Sequence, residues 1–126
     1  MQDYKKTIEK VLEKALESLG ISGASLEVYL IDDEAMRQLN LQTRGKDNPT
    51  NVLSFEYPDM PRPDIPDYKY LGEIYLAPNF IDENNQMIER LAVHGLLHLL
   101  GYDHIKPEDE KIMDPIEDAL FEKMKI

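Results

Sequence analysis

Apolar residues at Ile8, Val11, Leu12, Ala15, Leu16 and Leu19 recur at helical spacing with Lys and Glu between them, and Gly20 follows at the C-cap position. This spacing predicts an amphipathic helix against a core. From Ser25 to Ile31 the period changes to two, with Leu26, Val28 and Leu30 on one face, which predicts a strand. Asp32, Asp33 and Glu34 then supply the acidic first turn of a second helix carrying Ala35, Met36 and Leu39. A polar stretch, Arg44 to Asn51, follows that helix as a loop and leads into a short strand with Val52, Leu53 and Phe55. Between Tyr57 and Tyr70 lie Pro58, Pro61, Pro63 and Pro66, half of the chain's 8 prolines, so an irregular surface excursion is expected there. Leu71 to Leu76 reads as the next strand. Asn79 to Leu100 reads as one helix of rising apolarity. Its last part, Leu91 to Leu100, has only two histidines as polar side chains, which places it in the middle of the fold. Gly101 ends it. A last helical stretch begins with Pro107. Asp114, Pro115 and Glu117 read as cap, first-turn proline and capping-box acid, either of a new helix or of a kink.

A chain of 126 residues with 42% hydrophobic content has the material for one compact domain, spanning 1–126, and for no tandem architecture. With no cysteine, disulfide scaffolds, thiolate nucleophiles and Cys-type zinc fingers drop out together, so any metal must use His, Asp or Glu. The start, MQDYKKTIEK, lacks the apolar core of a signal peptide, and the Leu91 to Leu100 run is too short to span a bilayer. A soluble, cytoplasmic protein with no membrane partner is expected. Acids outnumber Lys and Arg by 25 to 14, a formal charge of −11, which argues against a broad basic surface that holds nucleic acid by counterion release. Any RNA contact must be local.

All 3 histidines fall inside HGLLHLLGYDH, as His94, His98 and His104. His94 and His98 are one helical turn apart, so both rings leave the same face of an otherwise apolar helix. Gly101 can turn the chain back and bring His104 to the same point from outside the helix. Three imidazoles with an open fourth position describe a catalytic zinc site, one Zn2+ per chain. A single buried histidine is more often a core residue with its ring nitrogens satisfied. Two adjacent ones among Leu91, Leu97 and Leu100 find no partner on their own helix. The spacing H-x-x-x-H-x-x-G-x-x-H is also that of metzincin peptidases, whose general base is a glutamate after the first histidine. Here that position is Gly95, which cannot take a proton.

The motif HGLLHLLGYDH resembles the signature of the YbeY endoribonucleases. The likeness extends to RGKDNPTNVLSF (Arg44 to Phe55), to LGEI (Leu71 to Ile74) and to LIDDEAMRQLN at the second helix, in collinear order. The resemblance implies an α/β (α+β) single domain, a small mixed sheet packed against several helices, with the central apolar helix carrying the metal ligands. It further implies zinc on His94, His98 and His104 and a metal-dependent endoribonuclease acting on single-stranded RNA. Maturation of the 3′ end of 16S ribosomal RNA, other rRNA processing and ribosome quality control are the implied processes. The partners are a ribosomal RNA precursor and the small ribosomal subunit or its proteins, with no DNA. Against the family pattern, the chain opens on its first helix rather than a strand, the stretch between LGEI and HGLLH is short, and Pro115 interrupts a C-terminal helix that is usually continuous.

Phosphodiester attack gathers negative charge on the non-bridging oxygens, so the site also needs a fixed cation, best a bidentate guanidinium. Arg44 matches a functional arginine of the family and is the catalytic candidate; Lys46 is a lesser one, for guiding RNA. Ser54 and Glu73 lie on the strands nearest the motif and could orient water or substrate, though such strand residues are more often edge or supporting groups. Asp103 suits a hydrogen bond to an imidazole, and Met113 suits packing beneath a metal or in the core. Two other functions compete: a zinc hydrolase of another class, such as a peptidase lacking the usual glutamate, and a ribosome-associated protein whose zinc only fixes the fold.

Overall fold

The apolar stripe of the first segment forms helix α1 (Tyr4–Ser18) and buries Ile8, Val11, Leu12 and Ala15. The computed structural model describes residues 4–56, 69–101 and 115–122. Gly20 closes α1 by giving its N–H to Glu17 O (3.0 Å), while Ile21 gives its own to Leu16 O (2.9 Å), the paired bonds of a Schellman end. Strand β1 (Ala24–Leu30) follows, with Leu26, Val28 and Leu30 turned to the main core as their alternation requires. Asp32 caps α2 (Asp33–Arg44): its carboxylate accepts the Ala35 N–H at 2.8 Å, and Asp33 and Glu34 occupy the positive end of the helix.

With strands β2 (Val52–Glu56) and β3 (Lys69–Leu76), β1 forms, among the described residues, a three-stranded sheet of order β1-β3-β2, with β1 parallel and β2 antiparallel to β3. The sheet is mixed, and with its helices the fold is α+β. Between Ser25 and Glu27 of β1 the register slips: their partners on β3 are Tyr70 and Glu73. The slip sits at Gly72, whose φ of +138° and close approach to Phe55 O, 2.1 Å from where a Cβ would stand, admit no side chain. Through this bulge Leu71 and Ile74, an odd number of residues apart, both reach the main core.

One sheet face packs on α1 and on α4 (Ile88–Leu99), where Ala92, Val93, Leu96, Leu97 and Leu99 are buried with Ile8, Leu12, Ile74 and Leu76. The other face carries a smaller cluster in which Met36 of α2 meets Leu53 and Ala77. The helix expected over Asn79 to Leu100 is two helices, α3 (Pro78–Glu83) and α4. Polar side chains interrupt it. Asn84 turns its amide back onto Phe80 O at 2.8 Å, competing with the helix ladder, and Asn85 takes the left-handed conformation, φ +56°.

Residues 115–122 are helical, α5, and seat Leu120 in the main core; whether a new helix begins at Pro115 or a longer one kinks there lies outside the described residues. The proline-rich excursion, the expected helix start at Pro107 and the cap Asp114 lie outside the described residues. No described helix is long and apolar enough to cross a membrane.

Candidate metal centre

Helix α4 is apolar on nearly every side, and His94 and His98 are the two polar side chains of its second half. Separated by one turn, their rings meet edge to face, centroids 5.1 Å apart and planes at 66°. Both side chains are partly exposed, whereas Val93, Gly95, Leu96 and Leu97 around them are buried, so the two rings open from the core toward one surface point. The helix ends at Leu99, one residue after His98, in the expected turn, with the Gly101 N–H on His98 O at 3.0 Å.

The leucines of α4 offer the ring nitrogens no partner, and His94 finds one on a separate element, Glu117 of α5. Its Oε2 lies 2.5 Å from His94 Nδ1, and its Oε1 accepts the Nε–H of Arg90 at 2.9 Å. Glu117 had read as the acid of a capping box whose cap, Asp114, lies outside the described residues; its two oxygens meet Arg90 and His94, and the residue is 3% exposed. Burial pushes the Glu117 carboxyl up, but hydrogen bonds from His94 and Arg90 and their charge outweigh it, so the carboxyl sits below its ordinary value. Sequence alone held one signal for it: Glu117 shares the inward face of α5 with Ile116, Leu120 and Phe121, a lone acid in an apolar stripe.

Beneath the motif, Gly95 packs directly on the sheet. A Cβ built there would stand 2.9 Å from Ser54 Oγ and 3.1 Å from Ile74 Cγ2. Ser54 thus lies against the motif at Gly95, a residue between its two helical histidines in sequence. A glutamate at this position, as a metzincin requires, has no room. Glu73 is on the opposite face, where its Oε1 accepts the Tyr75 hydroxyl at 2.8 Å, so it takes no part in this centre.

Arg44 occupies the last turn of α2 rather than the loop after it, because Gly45 closes the helix in the left-handed conformation (φ +72°) and gives its N–H to Leu41 O at 3.0 Å. The Arg44 side chain is exposed, and no hydrogen bond or ion pair among the described residues ties it down. The loop after it is tied down. Asn40, 1% exposed, donates to Asn48 O at 2.9 Å, and Arg37 pairs with both Glu34 and Asp47. Asn51 reaches across to Gln86 just before α4, donating at 3.2 Å. Lys46 is exposed. Asn40 was missed at the sequence level, where it is one more polar residue on a polar helix.

His104, Tyr102, Asp103 and Met113 lie outside the described residues. Among the described residues no group of three His, Cys, Asp or Glu side chains converges on one point. The pair that is described fits a metal by its chemistry: two neutral-nitrogen donors on one helix face, one of them backed by a buried carboxylate.

The sequence profile of the family described as Endoribonuclease YbeY matches residues 1–125. Among curated relatives bearing that name, one from Persephonella marina is 36% identical over 96% of this chain and 84% of its own length. Others from Aquifex aeolicus and Bacillus cytotoxicus are 37% and 38% identical, covering 95% and 89% of this chain and 83% and 81% of theirs. A solution structure of a Thermotoga maritima protein superposes with a TM-score of 0.59 at 28% identity, over 97% of this chain and 86% of that one. With a profile match from end to end and relatives this similar, the chain belongs to the endoribonuclease YbeY family.

Proposed function

We propose that this protein is a zinc-dependent endoribonuclease that cuts single-stranded RNA in ribosomal RNA processing, including maturation of the 16S 3′ end. The observation that carries this reading is the His94 and His98 pair, opening from a buried helix with His94 backed by Glu117, in a chain whose relatives are named endoribonucleases. Zinc would be held by His94, His98 and His104, one ion per chain. When bound, it supplies a Lewis acid that polarises water and phosphoryl oxygen near neutral pH.

The chain's own residues carry the rest. Arg44, exposed and unpaired among the described residues, suits the guanidinium that neutralises the non-bridging phosphate oxygens as the phosphodiester is attacked. Its position at the end of α2 is fixed by the Gly45 turn and the Asn40 bond to the loop, which leaves the side chain free to close on a phosphate. Lys46 beside it helps draw RNA in. With a formal charge of −11 the rest of the surface repels a polyanion, so binding is confined to this neighbourhood and to single strands that can enter it. Specificity is then supplied by the assembling small ribosomal subunit, in the cytoplasm. The peptidase alternative is disfavoured by the crowding at Gly95.

The test is purification without added metal, elemental analysis, and digestion of a single-stranded rRNA precursor fragment with and without chelator. Cleavage that chelator abolishes and zinc restores is the expected result. Chelator-resistant cleavage would overturn the metal dependence. Casein hydrolysis without RNA cleavage would favour the peptidase, and RNA binding without turnover the non-catalytic alternative.

A further inference from the structure

Glu117 is a carboxylate that the fold buries and then pairs on both oxygens. Leaving such a group unpaired in the interior is strongly destabilising, so its partners define what it is for. One partner is Arg90, a turn before His94 on α4, with Nε 2.9 Å from Oε1. Arg90 is itself held by Asp118, Nη2 to Oδ1 at 2.6 Å, and lies over the Phe121 ring at 5.6 Å from its centroid. The other partner is His94, whose Nδ1 lies 2.5 Å from Oε2.

Arg90 can only donate, so Glu117 must present oxygen to it, and an ionised carboxylate presents oxygen to His94 as well. The Nδ1 atom of His94 then carries the hydrogen. Its lone pair is left on Nε2, and the ring is held against rotation. An imidazole offered to a metal needs both properties, and a carboxylate behind the ring is a common way to provide them.

We propose that Glu117 is a positioning residue of the metal centre: clamped by Arg90, it accepts the Nδ1–H of His94 and so fixes the tautomer and ring orientation that present Nε2 to the metal. This rests on the zinc reading above and adds a residue on a separate element, 23 positions away from His94 in the chain. It also gives α5 a task beyond covering the core.

Glu117→Gln in the full chain is the discriminating variant, because it keeps shape and volume. Arg90 still demands the oxygen, so the amide nitrogen must face His94, and two donors cannot meet. His94 then switches to the Nε2–H tautomer, and zinc affinity falls by a factor of ~10 to ~100. Adding Arg90→Leu removes the demand, lets the amide turn round, and should restore the Nδ1–H tautomer and most of the affinity. The tautomer is read from long-range nitrogen–proton NMR spectra of the zinc-free protein, and affinity from zinc competition against a chromophoric chelator. Melting of each variant confirms the fold. A merely structural Glu117 would lower the melting temperature and leave tautomer and affinity alone. If the parent binds zinc and Glu117→Gln binds it equally, with Nδ1–H retained, the positioning role is overturned while the metal site stands. If the parent binds no zinc, both fall.

Discussion

The hydroxyl oxygen of Ser54 lies 2.9 Å from the point where a Cβ on Gly95 would stand, with Ile74 Cγ2 at 3.1 Å and Cδ1 at 3.3 Å on the same side. Helix α4 therefore rests on β2 and β3 at its one glycine, Gly95. That close seat sets the height of His94 and His98 above the sheet. Gly95→Ala should cost about 1–3 kcal/mol in overpacking, against about 1 kcal/mol returned by the better helix former. A net loss of up to about 2 kcal/mol in urea unfolding follows, and Ser54→Ala in the same chain should return part of it by removing the nearest atom. Gly95→Ala as stable as the parent would show that the helix is not seated so tightly.

Asn40 buries its amide to hold Asn48 O at 2.9 Å, and the Lys46 N–H reaches back to Asn40 O at 3.4 Å. One residue thus anchors the loop after Arg44 twice, once by side chain and once by backbone. Asn40→Ala should lower stability by about 1–2 kcal/mol, since the exposed Asn48 carbonyl can turn to water. Its larger effect is local. Amide exchange across residues 45–51 should speed well beyond that of β2 and β3. Equal acceleration in the sheet would mean that Asn40 supports the whole domain and not the loop.

The elements that rest on unbroken local pattern were legible from sequence. Helix α1 and strand β1 follow their periods of 3.6 and 2, and the acids Asp32, Asp33 and Glu34 mark the start of α2; its end at Gly45 was not legible, so Arg44 was expected in the loop. The break between α3 and α4 was not legible, because Ile81 and Ile88 keep the apolar rhythm across it while Asn84 and the left-handed Asn85 divide them. The inward role of Glu117 was not legible for a related reason. A proline followed two residues later by an acid is a cap signature in isolation, and the groups that turn the carboxylate inward, Arg90 and His94, arrive only through packing of α5 on α4. The pairing of Ser54 with Gly95 likewise comes from a strand and a helix that are far apart in the chain.

The aromatic cluster on the outer sheet face makes stability depend on alkaline pH. Tyr75 stacks on Tyr29, centroids 5.0 Å apart, and donates its hydroxyl to Glu73; burial first, and then that hydrogen bond and the charge of Glu73, push its pKa up to about 12. A pKa raised in the folded state favours the protonated form there. The contribution is whole below the ordinary tyrosine value of ~10 and is lost as pH rises through about 12. Unfolding free energy should therefore fall with pH above ~10, and Tyr75→Phe should flatten part of that slope. Absorbance titration of tyrosinate checks the assignment: a normal midpoint for the phenol lost in Tyr75→Phe would remove it.

Arg44 separates the phosphate clamp from the metal. It is exposed at the end of α2 and makes no bond among the described residues that the fold would miss, so Arg44→Ala should leave melting and zinc content unchanged. Single-turnover cleavage of a single-stranded RNA at fixed salt should fall by a factor on the order of a hundred or more, the usual loss when a donor to developing charge is removed. Arg44→Lys should recover little, because an ammonium keeps the charge but not the planar fork that meets two phosphate oxygens together. Full rescue by lysine would mean that charge alone matters, and Lys46 could then substitute. Cleavage at the parent rate by Arg44→Ala would remove Arg44 from the site, leaving the histidine centre intact and the clamp to another cation.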